Sequence, residues 1–217
     1  MKKMAFIDME GVLIPEIWKH FSHYFNIPEL AVTTREVADY KQLMNQRINI
    51  LKNKDISLNK LLEAIAELEP NNGAKDFLKY LQLNKNFEVR IISDCFYEFL
   101  DPFLKKIGIP SKHAYCHYLE VDSHGIIEKA HYLRNKGKHE IIVNYQKNNF
   151  SMKDSIAIGD AFNDFTMLHL VDHGFLFQPS EDVRKNAPFY FHTMQTYEDI
   201  INYLNNLKYL KRNNFQA

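Results

Sequence analysis

The sequence has few cysteines, no net charge and no long apolar run. Only Cys95 and Cys116 occur in 217 residues, and a disulfide framework would need more cysteines at regular spacings, so we expect a reducing, cytoplasmic setting. Lys plus Arg and Asp plus Glu each total 27, which gives no overall field to attract nucleic acid or an anionic membrane. No apolar run reaches the roughly twenty residues that cross a bilayer. A small molecule is therefore the expected partner, with no nucleic acid and no membrane.

The chain does have several short apolar runs that end abruptly at polar residues. They are "MAFIDM" at 4–9, "EVRIISD" at 88–94, "SIAIGD" at 155–160 and "GFLF" at 174–177. The stretches between them show helical apolar spacing. Runs that are apolar throughout and alternate with helices are typical of a parallel sheet covered on both faces. The sequence therefore predicts an α/β fold with a Rossmann-like parallel sheet and flanking helices.

The first two predicted strands are separated by a long stretch without a convincing strand. It contains helical runs such as "KQLMNQRINIL" and "NKLLEAIAEL" and ends near a Pro-Asn-Asn-Gly turn at 70–73. This is too long for one crossover helix. We expect an inserted helical cap at 16–72 and a core domain formed by 1–15 and 73–217. A second excursion, at 115–130, alternates polar and apolar residues around a Ser-His-Gly turn and predicts a β-hairpin.

Polar side chains follow three of the predicted strands at the point where each strand ends. They are Asp8 and Glu10 after the first, Ser93 and Asp94 after the second, and Asp160, Asn163 and Asp164 after the third. Ligands of open parallel sheets bind outside the carboxyl ends of the strands, so these side chains should meet at one site. Carboxylate oxygens suit Mg²⁺, which takes its remaining ligands from water and phosphate. Asp8 and Asp160, with Glu10 beside them, are the expected metal ligands.

Two of these carboxyl groups match the needs of phosphoryl transfer. With its charge masked by the cation, Asp8 can attack phosphorus, while Glu10 protonates the leaving oxygen and later activates water. If the strand continues through both residues, alternation places their side chains on one side. Each carboxylate taken alone could instead be a strand-end cap, but the coincidence at three strand ends disfavours that interpretation.

The phosphoryl oxygens would also need hydrogen-bond donors and a cation. Ser93, Asp94 and Asn163 are expected to line the phosphate site, and Lys138 is the preferred ammonium. Lys136 and Lys147 also lie upstream of "GDAFND", so the choice of lysine stays open. Asp164 is expected to orient Lys138 or the metal waters from behind, although it could also cap the helix that follows it.

In combination, these motifs resemble the haloacid-dehalogenase phosphatase superfamily. The matching segments are "DMEG", "IISD", a lysine near 138 and "GDAFND", in the same order across nearly the whole chain. Glu10 departs from the pattern, since it stands where that superfamily has a second Asp. The resemblance implies Mg²⁺-dependent phosphate ester hydrolysis through an aspartyl-phosphate.

Further segments narrow the resemblance to the branch of the superfamily that hydrolyses phosphoserine and can transfer the phosphoryl group to homoserine. They are "EGVLIPEIW", "TTRE", "MNQR", "SDCFYEF" and "TYEDI". The resemblance implies that Glu16 and Arg47 bind the amino and carboxylate groups of a phosphorylated amino acid, and Arg does match a carboxylate in geometry. Arg47 could equally be a surface residue. A broader phosphatase for sugars or other small metabolites is the alternative.

Overall fold

The computed structural model of the chain describes residues 3–33, 36, 37 and 39–213, with side chains through Leu207. Residues 34 and 35 of the "TTRE" segment lie outside the described residues. Seven strands form one sheet. In chain order the strands are β1 (Lys3–Ile7), β2 (Phe87–Phe96), β3 (Ala114–Val121), β4 (Ile127–His131), β5 (Ile156–Gly159), β6 (His173–Phe177) and β7 (His192–Met194).

Across the sheet the strands follow the order β4-β3-β2-β1-β5-β6-β7. All neighbours are parallel except β3 and β4, which form an antiparallel hairpin. The chain leaves β1 toward β2 on one side and later returns to β5 on the other. The strand order therefore reverses beside β1, and a ligand crevice is expected where β1 and β5 end.

Strand β1 lies at the centre of the sheet because its residues are apolar on both faces. Ala5 and Ile7 join the larger apolar cluster, while Met4 and Phe6 join a second cluster on the opposite face. Successive side chains of a strand point to opposite faces, so burial on both sides requires an unbroken apolar run. Asp8, directly after this run, is consequently held at the edge of a rigid core.

Helices cover both faces of the sheet, and several of them come between β1 and β2 along the chain. They are α1 (Ile17–Tyr24), α2 (Tyr40–Asn53), α3 (Leu58–Ala66), α4 (Ala74–Lys79), α5 (Tyr97–Ile107), α6 (His139–Lys147), α7 (Phe165–Leu168), α8 (Glu181–Asn186) and α9 (Tyr197–Asn213). Asp39 and Ser57 accept hydrogen bonds that cap the starts of α2 and α3, which fixes where these helices begin. Among the helices that the structure describes, none has the length and apolar content to span a bilayer.

The structure confirms the α/β fold and the four strands predicted from the apolar runs. It also confirms the hairpin, whose strands pair Tyr118 with His131 and Leu119 with Ala130. The hairpin contacts the helical region, since Leu58 N–H donates to Gly125 O at 2.8 Å. Strand β7 was not predicted, because three residues are too few to show alternation.

Candidate active site

Asp8 lies at the carboxyl end of β1, where two neighbouring groups hold its carboxylate. Its backbone N–H donates to Ile158 O at 2.9 Å, which ties it to β5. Its Oδ1 accepts from Met9 N–H at 2.7 Å, and its Oδ2 lies 2.8 Å from Lys138 Nζ. The side chain is buried, so both oxygens are fixed in direction rather than free in solvent.

Lys138 stands at the start of α6 and makes two buried ion pairs. Besides Asp8, its Nζ lies 2.7 Å from Asp164 Oδ1. Burial works against the charge of Lys138, but Asp164 and Asp8 raise its pKa above the usual value. Lys136 and Lys147, the other two lysines considered from the sequence, are both exposed. Lys138 is therefore the lysine of these three that reaches Asp8.

A third carboxylate, that of Asp160, completes an acidic group at the end of β5. One oxygen each from Asp8, Asp160 and Asp164 lies within 4.8 Å of the others, close enough for one ion to contact all three. Hard oxygens in this number suit Mg²⁺. Among the described residues, Asp164 belongs to this group and Glu10 does not, whereas the sequence suggested Glu10 as a ligand and placed Asp164 behind the site.

Two glycines permit this close packing of carboxylates. Gly11 has φ +76°, and a Cβ there would lie 2.5 Å from Asp160 Oδ2. A Cβ on Gly159 would lie 2.2 Å from Asp164 Cγ. Asp164 Oδ2 also accepts from the N–H groups of Asp160 and Ala161 at 2.9 and 3.0 Å. Both oxygens of Asp164 thus accept hydrogen bonds, and this carboxylate holds the Lys138 ammonium in place.

Glu10 reaches the site from a turn, not from an extended strand. Strand β1 ends at Ile7, and the N–H groups of Leu13 and Ile14 both donate to Met9 O. The strand therefore does not continue through Asp8 and Glu10, so strand alternation does not determine where the Glu10 side chain points. Glu10 Oε1 accepts from Ile17 N–H at 2.8 Å, at the start of α1.

Burial governs the pKa values of the carboxyl groups in this site. It raises the pKa of Asp8, with Lys138 opposing and the other carboxylates adding to the effect. It raises the pKa of Asp160 to about 7. It also raises the pKa of Glu10, against the Ile17 N–H bond. A carboxyl group with a raised pKa can serve as a proton donor near neutral pH, and a bound cation would favour ionised Asp8 and Asp160.

The end of β2 contributes Ser93 and Asp94 to the same edge of the sheet. The register with β3 shifts between Ile92 and Phe96, so the strand is irregular where these residues lie. Ser93 is buried, and its Oγ accepts from Cys95 N–H at 3.2 Å. Asp94 Oδ2 accepts from Asn163 Nδ2 at 2.9 Å, which links the ends of β2 and β5.

Sequence reasoning missed Arg134, a buried residue in the loop before α6. Its guanidinium lies 2.8 Å from Asp94 Oδ1 and also donates to Ser93 O at 2.5 Å. Lys138 and Arg134 outweigh the effect of burial on Asp94 and lower its pKa to about 2. Arg134 lies four residues before Lys138 in a polar segment, and no periodicity distinguishes it there from a surface arginine.

The two residues expected to recognise an amino acid lie in different environments. Arg47 is buried, with its Cζ 4.5 Å from the ring centroid of Trp18, and its Nη2 donates to Val32 O at 2.7 Å. Its Nε is buried without a hydrogen-bond partner among the described residues. Glu16 is half exposed and pairs with Lys19 at 2.8 Å. Both Glu10 and Glu16 lie near enough to influence the pKa of Arg47, which burial lowers.

Fold and site together define an α/β enzyme whose clustered carboxylates lie at the switch point of a mostly parallel sheet. The chain belongs to the haloacid dehalogenase-like hydrolase family, whose model matches residues 2–204.

The similar proteins include curated relatives and solved structures. The chain is 36% identical over 198 residues to phosphoserine phosphatase ThrH of Pseudomonas aeruginosa, covering 91% of this chain and 93% of that protein. It is 33% identical to a phosphoserine phosphatase of Pseudomonas syringae pv. tomato, covering 91% and 80%. A substrate-bound phosphoserine phosphatase structure superposes with a TM-score of 0.78 at 20% identity, covering 94% of this chain and 98% of that chain. At 20% identity, the similarity to this last structure shows the fold alone.

Proposed function

We propose that this enzyme hydrolyses phosphoserine through a covalent phosphoryl group on Asp8. The observation that carries the proposal is the position of Asp8, which lies between a backbone N–H and Lys138 and beside two further carboxylates. The two Pseudomonas relatives named phosphoserine phosphatase support the choice of substrate.

In the first step an oxygen of Asp8 forms a bond to phosphorus while the bond from phosphorus to the serine oxygen breaks. Glu10 gives its proton to that oxygen, so serine leaves as a neutral alcohol. In the second step Glu10 takes a proton from water, whose oxygen attacks phosphorus and releases Asp8 and inorganic phosphate. The raised pKa of Glu10 suits a group that must both give and accept a proton.

Lys138 keeps positive charge beside the phosphoryl oxygens during both steps. Because Asp164 holds its Nζ at 2.7 Å, the ammonium needs little reorganisation as charge develops. The Ser93 hydroxyl and the Asn163 amide supply further donors from the ends of β2 and β5. Asp94 has one oxygen bound to Arg134 and the other to Asn163, so it orients these groups and does not bind phosphate itself.

Asp8 and Asp160 would hold a Mg²⁺ ion, since the three clustered carboxylates offer hard oxygen donors within 4.8 Å of one another. The ion would supply charge neutralisation, which lets a carboxylate approach a phosphate dianion.

We further propose that residues 16–72 form a cap that selects the substrate. Arg47 would bind the carboxylate of phosphoserine, with its Cζ 4.5 Å from the ring centroid of Trp18. Glu16 would bind the ammonium group in exchange for Lys19. A zwitterion needs one group of each charge, and this pair supplies both.

The test compares phosphoserine with p-nitrophenyl phosphate, which lacks an α-carboxylate. Arg47→Ala should lower kcat/KM for phosphoserine selectively by about 2 to 5 kcal/mol, the usual cost of truncating one member of a buried charge pair. Asp8→Asn should abolish turnover of both substrates. Equal losses on both substrates in Arg47→Ala would remove Arg47 from recognition and favour the broader phosphatase for small metabolites.

Transfer to homoserine is a further part of the proposal. Serine leaves from beside Glu10 as an alcohol, so an amino-acid alcohol one methylene longer can approach the phosphoryl group along the same path. Homoserine added to the reaction should then yield phosphohomoserine at the expense of inorganic phosphate. Unchanged release of phosphate with no new ester would exclude this acceptor.

A further inference from the structure

Arg134 connects two strand ends and a side chain of the active site. Its Nη1 donates to Tyr115 O on β3 at 2.7 Å, and its Nη2 donates to Ser93 O on β2 at 2.5 Å. The same Nη2 lies 2.8 Å from Asp94 Oδ1. The residue is 5% exposed, so these contacts form away from solvent, where charge-assisted hydrogen bonds hold geometry strongly.

The contacts of Asp94 extend this connection to Asn163. Arg134 occupies one carboxylate oxygen, and the other accepts from Asn163 Nδ2. An amide nitrogen carries two hydrogens, so one N–H of Asn163 is held by Asp94 and the second has a defined direction. Asn163 itself is exposed, and without this contact its side chain would be free to rotate.

The negative charge of Asp94 would otherwise oppose a phosphate dianion. Arg134 neutralises it at 2.8 Å, and a planar guanidinium can bind the carboxylate and a carbonyl oxygen at the same time. A lysine at this position would keep the charge but would lose the fork that joins Ser93 O, Tyr115 O and Asp94.

We propose that Arg134 is a positioning residue that, through Asp94, aims the Asn163 amide at the phosphoryl oxygens of the substrate. This inference rests on the proposed phosphatase function, because it concerns the same site. Arg134 touches no reacting atom, so its effect on the substrate must be indirect. Its side-chain contact in the site is with Asp94, and Asp94 in turn holds Asn163.

A double-mutant cycle with p-nitrophenyl phosphate tests this dependence. Arg134→Lys should lower kcat/KM and weaken inhibition by inorganic phosphate by about tenfold, mainly through KM, as expected for coupled residues in one hydrogen-bond network. In an Asn163→Ala background the same substitution should cost less than about twofold. Equal fold losses in both backgrounds would overturn the proposal.

Arg90→Lys is the matched control, since Arg90 is also buried on β2 but pairs with Glu88 and Tyr145. Its effect should be the same with and without Asn163. If Arg134→Lys does not fold, Asp94→Asn enters the same cycle, and additive losses there would overturn the proposal. Because p-nitrophenyl phosphate is the substrate in this assay, the double-mutant cycle can be interpreted even if phosphoserine proves not to be a substrate.

Discussion

Replacement of Lys138 by Met tests whether its buried charge holds the acidic site together. The ammonium lies 2.8 Å from Asp8 and 2.7 Å from Asp164, and the three side chains are 1%, 8% and 0% exposed, respectively. Met keeps much of the volume and removes the charge, which leaves two buried carboxylates uncompensated. Breaking a buried pair in this way costs about 3 to 5 kcal/mol.

For a protein of this size, that loss corresponds to a Tm lower by roughly 6 to 20 °C. Thermal unfolding followed by circular dichroism at pH 7 in EDTA measures it. Lys85→Met is the matched control, because Lys85 is also buried but bonds to neutral acceptors, Leu204 O and the Asn205 side chain. We expect a smaller loss there, about 1 to 3 kcal/mol.

The pH dependence of the stability loss distinguishes an electrostatic cause from a packing cause. In Lys138→Met the pKa of Asp8, which burial already raises, should rise further in the folded state, while that of the unfolded chain stays near 4. Protonated carboxyl groups then favour the folded state, so the deficit should shrink as the pH falls from 7 toward 5. The deficit of Lys85→Met should stay constant over the same range.

Mg²⁺ should also restore part of the stability of Lys138→Met, because it neutralises Asp8 and Asp160. A Tm within about 3 °C of wild type at pH 7 in EDTA, which corresponds to about 1 kcal/mol, would refute the electrostatic reasoning. A deficit that does not change with pH would assign the loss to packing.

Three further predictions concern the same site. Glu10→Gln should accumulate phosphorylated enzyme from p-nitrophenyl phosphate, because hydrolysis lacks its base; mass spectrometry of quenched samples showing only free enzyme would argue against that role. Gly11→Ala should lose Mg²⁺-dependent activity, since its Cβ would lie 2.5 Å from Asp160 Oδ2 at φ +76°; a variant as active as wild type would show that the turn can shift. Because burial raises the pKa of Asp160 to about 7, the metal-free protein should become less stable as the pH rises from about 4 to 7. Mg²⁺ should favour ionised Asp160 and stabilise the protein more at pH 7 than at pH 5; a stabilisation independent of pH, measured by calorimetry, would contradict this.

Much of the fold could be predicted because its signals are local. A parallel strand covered on both faces must be apolar throughout, so "MAFI" and "SIAIG" identify β1 and β5 without any tertiary information. Because β1 and β5 are parallel, the polar residues that follow them lie at the same edge of the sheet. Strand β7 shows the limit, because its three residues are too few to establish an alternating pattern.

Long-range contacts could not be predicted from the residues that make them. Arg134 and Asp94 are 40 residues apart, and the Tyr40 hydroxyl donates to Asp94 O across 54 residues. Nothing near Arg134 or Tyr40 in the sequence distinguishes either of these two residues from a solvated side chain, although Asp94 was predicted to lie in the site. The close approach of Asp160 to Gly11 could not be predicted for the same reason, since the two residues meet only in the folded chain.

The sequence by itself determined the element types and the set of acidic residues at the strand ends, because burial and periodicity act over a few neighbouring positions. Only the tertiary structure decided which lysine meets Asp8 and which arginine holds Asp94. Ion pairs form between groups that the sheet order brings together, and that order depends on the packing of the whole chain. Burial then sets their strength, because the same charges on the surface would be screened by water.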